Sequence, residues 1–283
     1  MTANIKQAPK IIMLGKAKGG SGSTTIGTAL AVQMAKLGRR VAVVDLDDKA
    51  KATWALLQNR TPGFYNWFGV VPDEPEDFTP EWVSCRFKYF TVRARPDCDL
   101  WVLPGNPMTG AAESVAQRMR WPDTRLRDML KMLTDYDYII VDGPDYGDLA
   151  RFGLLAADLV LAVSTLRSID QDSVEILAEL LNAVRPDNPP VWIAPNRNDG
   201  RSKTVCLPLL AELQAAVKQA QEADMNWSVC PPIGEAIGLD KALGEGTTWP
   251  EMNPAHPVSK QIKALAASLD NYFQGVTDES HQE

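Results

Sequence analysis

The chain has 283 residues, 45% of them hydrophobic and 23% charged, enough apolar material for one large α/β core or two small ones. A formal charge of −7 excludes a protein whose whole surface binds nucleic acid, although a local basic patch is compatible with it. Cys85, Cys98, Cys206 and Cys230 are too far apart for the Cys-x-x-Cys spacing of zinc or redox sites, and no apolar stretch reaches the length of a membrane span, so isolated thiols in a cytoplasmic protein are expected.

The first predicted strand, 11–14, is apolar throughout, too short for a signal-peptide core, and leads into Lys18-Gly19-Gly20-Ser21-Gly22-Ser23-Thr24-Thr25. Glycines between a strand and a helix let backbone N–H groups curl around phosphate oxygens. The positive end of the helix beginning near Ser23 adds to them, and the Thr24 hydroxyl can reach a magnesium ion. A phosphate loop ordinarily carries a lysine directly before that hydroxyl; here the position is Ser23. Lys18 opens the loop instead, with Lys16 two residues earlier.

Apolar runs at 41–44, 100–103, 138–141, 159–163 and 191–194 predict further strands, and three-and-four spacing predicts helices at 24–37, 123–133, 171–184, 207–223 and 259–273. Strands apolar on both faces and separated by amphipathic helices imply an α/β fold, a doubly wound, mostly parallel sheet with helices on both faces. Neither a linker nor a repeat is visible, so a single domain over 1–276 is expected, followed by a disordered polar tail, 277–283. The pattern is lost over about 59–96, an insert rich in aromatic residues that either packs on the domain or holds a partner, with packing the safer reading. In the last helix Ile262, Leu265, Leu269 and Phe273 form one stripe with few flanking bases, which reads as packing on the core rather than as a membrane anchor.

Carboxylates emerge at two strand ends, Asp45-Leu46-Asp47-Asp48 and Asp142, and oxygen ligands of this kind suit magnesium beside phosphates. Asn196 and Arg197 leave the strand at 191–194; an asparagine amide suits a purine edge and equally suits a strand-terminating turn.

Lys18, Gly19, Gly20 and the closing Thr24-Thr25 resemble the deviant Walker A box of the ParA/MinD family of dimeric cargo-positioning ATPases, whose pattern is Lys-Gly-Gly-x-Gly-Lys-Thr-Thr. The signature lysine is kept and the second is replaced by Ser23. The resemblance covers about 10–269, the aromatic segment apart. It implies a P-loop site for ATP or ADP with Mg2+, in which Gly19, Gly20, Ser21, Gly22, Ser23, Thr24 and Thr25 meet the phosphates and Asn196 and Arg197 lie where the base is read. Thr24, Asp45 and Asp142 then serve the magnesium shell, Asp47 positions the attacking water, and Lys18 crosses a dimer interface to phosphates bound by the other subunit.

By the same resemblance the protein forms a homodimer with ATP, and the dimer holds nonspecific DNA, associates with the nucleoid and partitions or positions DNA or another cargo. A ParB-like or adaptor protein stimulates release, and no membrane is involved. Loss of a charged donor at Ser23 costs triphosphate affinity roughly tenfold to a hundredfold, and hydrolysis is expected to be weak or absent. The alternative is a hydrolysis-deficient, nucleotide-dependent scaffold that recruits a protein through its aromatic segment. A metabolic P-loop enzyme is a third reading, for which no acceptor-substrate motif is visible. Arg201, Lys203, Lys241, Lys260 and Lys263, each a surface charge when taken singly, suggest as a set sequence-independent contacts with DNA phosphates.

Overall fold

A computed structural model of the chain describes residues 7–16, 20–59, 61, 63–69, 78–117, 122–165, 171–185, 187, 189–197, 203–236 and 238–275, with only the backbone at 16, 116, 122, 171–177, 203–206 and 240. Among the described residues eight strands form one sheet: Lys10–Lys16 (β1), Val41–Asp45 (β2), Val92–Arg93 (β3), Leu100–Leu103 (β4), Tyr138–Asp142 (β5), Leu159–Thr165 (β6), Val191–Asn196 (β7) and Trp227–Val229 (β8). Their order is β3-β4-β2-β5-β1-β6-β7-β8, and every pair is parallel except β3 with β4. The doubly wound, mostly parallel α/β fold expected from the apolar runs is the fold observed.

Successive residues of the central strands feed opposite cores, as the two-residue period of a strand requires. Ile11, Met13, Ala42, Val44, Ile139 and Val141 pack on one face of the sheet, and Ile12, Leu14, Val41, Val43, Tyr138 and Ile140 on the other. Helices Ser23–Lys36 (α1), Lys51–Leu57 (α2), Gly238–Gly244 (α10), Trp249–Met252 (α11) and Pro257–Gln274 (α12) belong with the second face. Phe64–Phe68 (α3), Pro80–Phe90 (α4), Ala111–Ala116 (α5), Pro122–Lys131 (α6), Asp148–Ala156 (α7), Gln171–Val184 (α8) and Lys203–Glu222 (α9) belong with the first.

The described part of the segment around 59–96 is more regular than its sequence suggests. It carries α3, α4 and β3; Thr79 caps α4 by accepting a hydrogen bond from the Trp82 backbone N–H, with Pro80 in the first turn. Phe64, Trp67, Phe68 and Phe87 are fully buried in the core on the first face, while Tyr89 stands 81% exposed. In α12 the stripe Ile262, Leu265 and Leu269 is buried against α1, and the helix is fastened by Asp270, which accepts from Arg39 Nε and Nη2 at 2.8 and 2.9 Å and from the Tyr138 hydroxyl at 2.7 Å. Among the described residues no helix is long and apolar enough to cross a membrane.

β1 lies between β5 and β6; the chain leaves it toward β2 on one side, whereas the connections from β5 to β6 and on to β8 run the other way along the sheet. In open α/β sheets the crevice at such a reversal, outside the carboxyl ends of the strands, is where ligands bind. The glycine loop after β1 opens there.

Candidate functional site

Lys18 and Gly19 lie outside the described residues. From Gly20 on, the loop turns through two left-handed glycines, Gly20 at φ +84° and Gly22 at φ +92°, and α1 begins at Ser23 with Gly22 as its N-cap. A Cβ on Gly22 would come within 2.5 Å of Asn196 Nδ2, so glycine is required there for space as well as for φ. Asn196 ties the loop to the end of β7: its Nδ2 donates to the Ser21 carbonyl at 2.8 Å, and its Oδ1 accepts from the Arg197 backbone N–H at 2.8 Å. The amide is only 2% exposed, and the geometry gives it the work of fastening the loop. Arg197, at φ +57°, lines the cavity in front.

Ser23 is 3% exposed, and its hydroxyl hydrogen-bonds that of Ser21 at 2.7 Å. One residue on, Thr24 Oγ1 donates to Asp142 Oδ2 at 2.9 Å, joining the start of α1 to the end of β5. Hydroxyl and carboxylate oxygens side by side are the donors magnesium prefers, and backbone N–H groups at a helix start suit phosphate, so the residues present fit a magnesium-bound nucleotide.

Asp45 is the register partner of Asp142 across β2 and β5, and it is fully buried. Its Oδ1 accepts from the Asp47 backbone N–H at 3.1 Å, and its Oδ2 accepts from the Thr53 backbone N–H and hydroxyl at 2.8 and 2.7 Å. Burial first, and then the charge of Asp142, push its carboxyl up to about 7, against the pull of those hydrogen bonds. Asp45 therefore organises the turn between β2 and α2 and does not line the cavity. Asp47 does, with Oδ1 accepting from the Lys49 backbone N–H at 3.0 Å.

The cavity has a volume of about 520 Å³. It is lined by the loop and first turn of α1, Gly20 to Thr25, by Asp47, Lys49, Lys51, Trp54 and Ala55 after β2, and by Asp145, Arg197, Leu243 and Gly244. Lys49, Lys51, Trp54 and Asp145 are not in the sequence reading. Their only early signal is position, just after the carboxyl ends of β2 and β5. Of the residues suggested for DNA, Arg201 lies outside the described residues and Lys203 is described in its backbone alone; Lys241, 3.7 Å from Glu245, and the exposed Lys260 and Lys263 on α12 are not part of this cavity.

The profile of the AAA domain family matches residues 9–190. The chain belongs to the ParA-type P-loop ATPases of that family. It is 35% identical over 159 residues to the chromosome partitioning protein ParA of Myxococcus xanthus, a match covering 54% of this chain and 50% of that protein. Along nearly its whole length, 91% of this chain and 94% of the relative, it is 26% identical to the chromosome-partitioning ATPase Soj of Thermus thermophilus. Among solved structures, apo McdA from Cyanothece superposes with a TM-score of 0.74 at 17% identity, covering 92% of this chain and 98% of that one, a likeness of fold. The chain thus spans half the length of the Myxococcus relative and almost all of the Thermus one.

Proposed function

We propose that this ParA-type chain binds magnesium-ATP in the cavity beyond β1, dimerises face to face over the nucleotide, and in that state holds nonspecific DNA to partition or position a cargo. The observation that carries the reading is the Thr24–Asp142 hydrogen bond beside a glycine loop that tolerates no side chain at Gly22. Gly20, Gly22 and the first turn of α1 would cradle the phosphates with backbone N–H groups, and Thr24 and Asp142 would hold the magnesium. Magnesium, when bound, neutralises charge on the phosphate oxygens. Asp47 faces the cavity and is the carboxylate suited to orient water, with Asp45 behind it setting the turn. Lys18 would reach the phosphates bound by the second subunit.

Ser23 brings no charge, so hydrolysis by this chain should be slow, since phosphoryl transfer depends on charge neutralisation by the protein. The buried Ser21–Ser23 pair therefore favours, as a second reading, a nucleotide-dependent scaffold without turnover. Recruitment of a partner in that reading would fall to exposed residues such as Tyr89, because Phe64, Trp67, Phe68 and Phe87 of its segment are already buried.

Light scattering tests the first reading. The native chain is expected to be a monomer without nucleotide and a dimer with magnesium-ATP, and Lys18→Ala to prevent the dimer. The dimer should bind random duplex DNA with an affinity that falls steeply with salt, weakened by Arg201→Ala with Lys263→Ala. A loaded dimer that ignores DNA even at low salt would leave the scaffold reading in its place.

A further inference from the structure

The cavity that the glycine loop opens onto is also lined by two lysines from outside the loop. Ser23, where a phosphate loop ordinarily offers its lysine, is buried and bonded to Ser21. Lys49, in the turn after β2, and Lys51, the first residue of α2, line the same cavity as Gly20–Thr25. We infer that Lys49 and Lys51 supply toward the phosphates of a bound nucleotide the positive charge missing at Ser23. The inference rests on the nucleotide reading of the site.

Three observations support it. The two lysines rise from a fixed base: the Lys49 backbone N–H donates to Asp47, Ala50 turns the chain at φ +50°, and the buried Asp45 carboxylate grips both Asp47 and Thr53. Both are exposed, and among the described residues neither forms an ion pair, so neither charge is held by a carboxylate of the protein. The lining of the cavity also has a positive balance, with Lys49, Lys51 and Arg197 against Asp47 and Asp145. An ammonium on a flexible stem is a compact point charge suited to phosphate oxygens, and it needs no fixed geometry to reach them.

The test is calorimetric titration of the full chain with ATP, ADP and AMP in magnesium, comparing the native protein with Lys49→Gln/Lys51→Gln, the exposed α9 control Lys218→Gln, and the double variant carrying Ser23→Lys in addition. Expected are a loss of ATP affinity of about tenfold or more in the double variant, a smaller loss for ADP, none for AMP, and recovery of ATP binding on adding Ser23→Lys. Melting without nucleotide should be unchanged; if the double variant melts lower, Lys49→Gln alone carries the comparison. Unchanged ATP affinity, or equal losses for ATP and AMP, would overturn the inference while leaving the nucleotide site in place. A native chain that binds none of the three at millimolar ligand would remove the site reading and this inference with it.

Discussion

At the two ends of the sheet the chain handles charge in opposite ways. Beneath the amino ends of the strands, carboxylates and cations close on one another. Asp158 accepts from the Ile11 backbone N–H at 2.8 Å, from Arg127 Nη2 at 3.1 Å and from Lys131 Nζ at 2.5 Å, while Lys131 also donates to the Pro9 carbonyl. Arg185 reaches the carbonyls of Leu154, Leu155 and Ala157, and Asp270 takes both arms of Arg39. At the carboxyl ends, Lys49, Lys51 and Arg197 instead face a cavity of about 520 Å³. Charges satisfied within the protein hold elements together, and charges left facing a cavity are available to a ligand. Substitutions at the closed end should therefore change stability, and substitutions at the open end should change binding.

The largest effect is expected at the open end. Gly22→Ala would place a Cβ against Asn196 at a φ that L residues rarely adopt, and magnesium-ATP affinity should fall by roughly a hundredfold or more, close to 3 kcal/mol. Titration calorimetry checks it, and near-native affinity would break the comparison at its strongest point. Asp158→Ala is the counterpart below. It strands the partly buried Lys131, whose ammonium burial already holds below its ordinary range despite Asp158, and unfolding in urea should show a loss of about 2 kcal/mol with nucleotide affinity unchanged.

Glu251 gives the closed end a pH signature. Burial raises its carboxyl, but hydrogen bonds from Arg95 and Thr248 together with the Arg95 charge outweigh that, so it lies below its usual value. A lowered carboxylate contributes stability above its unfolded pKa and loses it as pH falls through the folded one. Glu251→Gln should accordingly cost about 1.5 kcal/mol near neutrality, and the gap from the native chain should close in acid; a gap constant with pH would contradict the assignment. Smallest of the four is Ser23→Lys, expected to strengthen ATP binding by about tenfold and to speed single-turnover hydrolysis, because a lysine fixed at the start of α1 adds a charged donor to those that the flexible Lys49 and Lys51 bring. Equal affinity and rates would mean that Lys49 and Lys51 already supply all the charge the loop lacks, and would contradict this prediction alone.

The same contrast explains what the sequence could reveal. The middle strands were legible because Ile11 to Leu14 or Tyr138 to Val141 must be apolar on both faces, and the loop because its glycines and threonines stand in one continuous run. The two-residue β3 and three-residue β8 were not, since Val92 and Trp227 become strand residues only through pairing with β4 and β7. Short helices such as α2 and α3 offer too few turns for a period to emerge, and in α3 Phe64, Trp67 and Phe68 crowd five residues with aromatics. In the site, Thr24, Asp47 and Asp142 could be read from spacing, whereas Asn196 as the fastener of Ser21 depends on a contact across 175 positions. Lys49 and Lys51 look in sequence like any charged residues after a strand, and only the folded chain brings them to the cavity the loop lines.

Hydrogen exchange followed by mass spectrometry on the full chain, with and without magnesium-ATP, tests both ends in one measurement. Nucleotide is predicted to slow exchange in the loop and first turn of α1, at 20–28, and in the β2–α2 segment, at 45–55, while 127–138 and 154–159 at the closed end stay unchanged. Protection confined to the closed end, or none in the loop at saturating nucleotide, would contradict the assignment of this cavity as the nucleotide site.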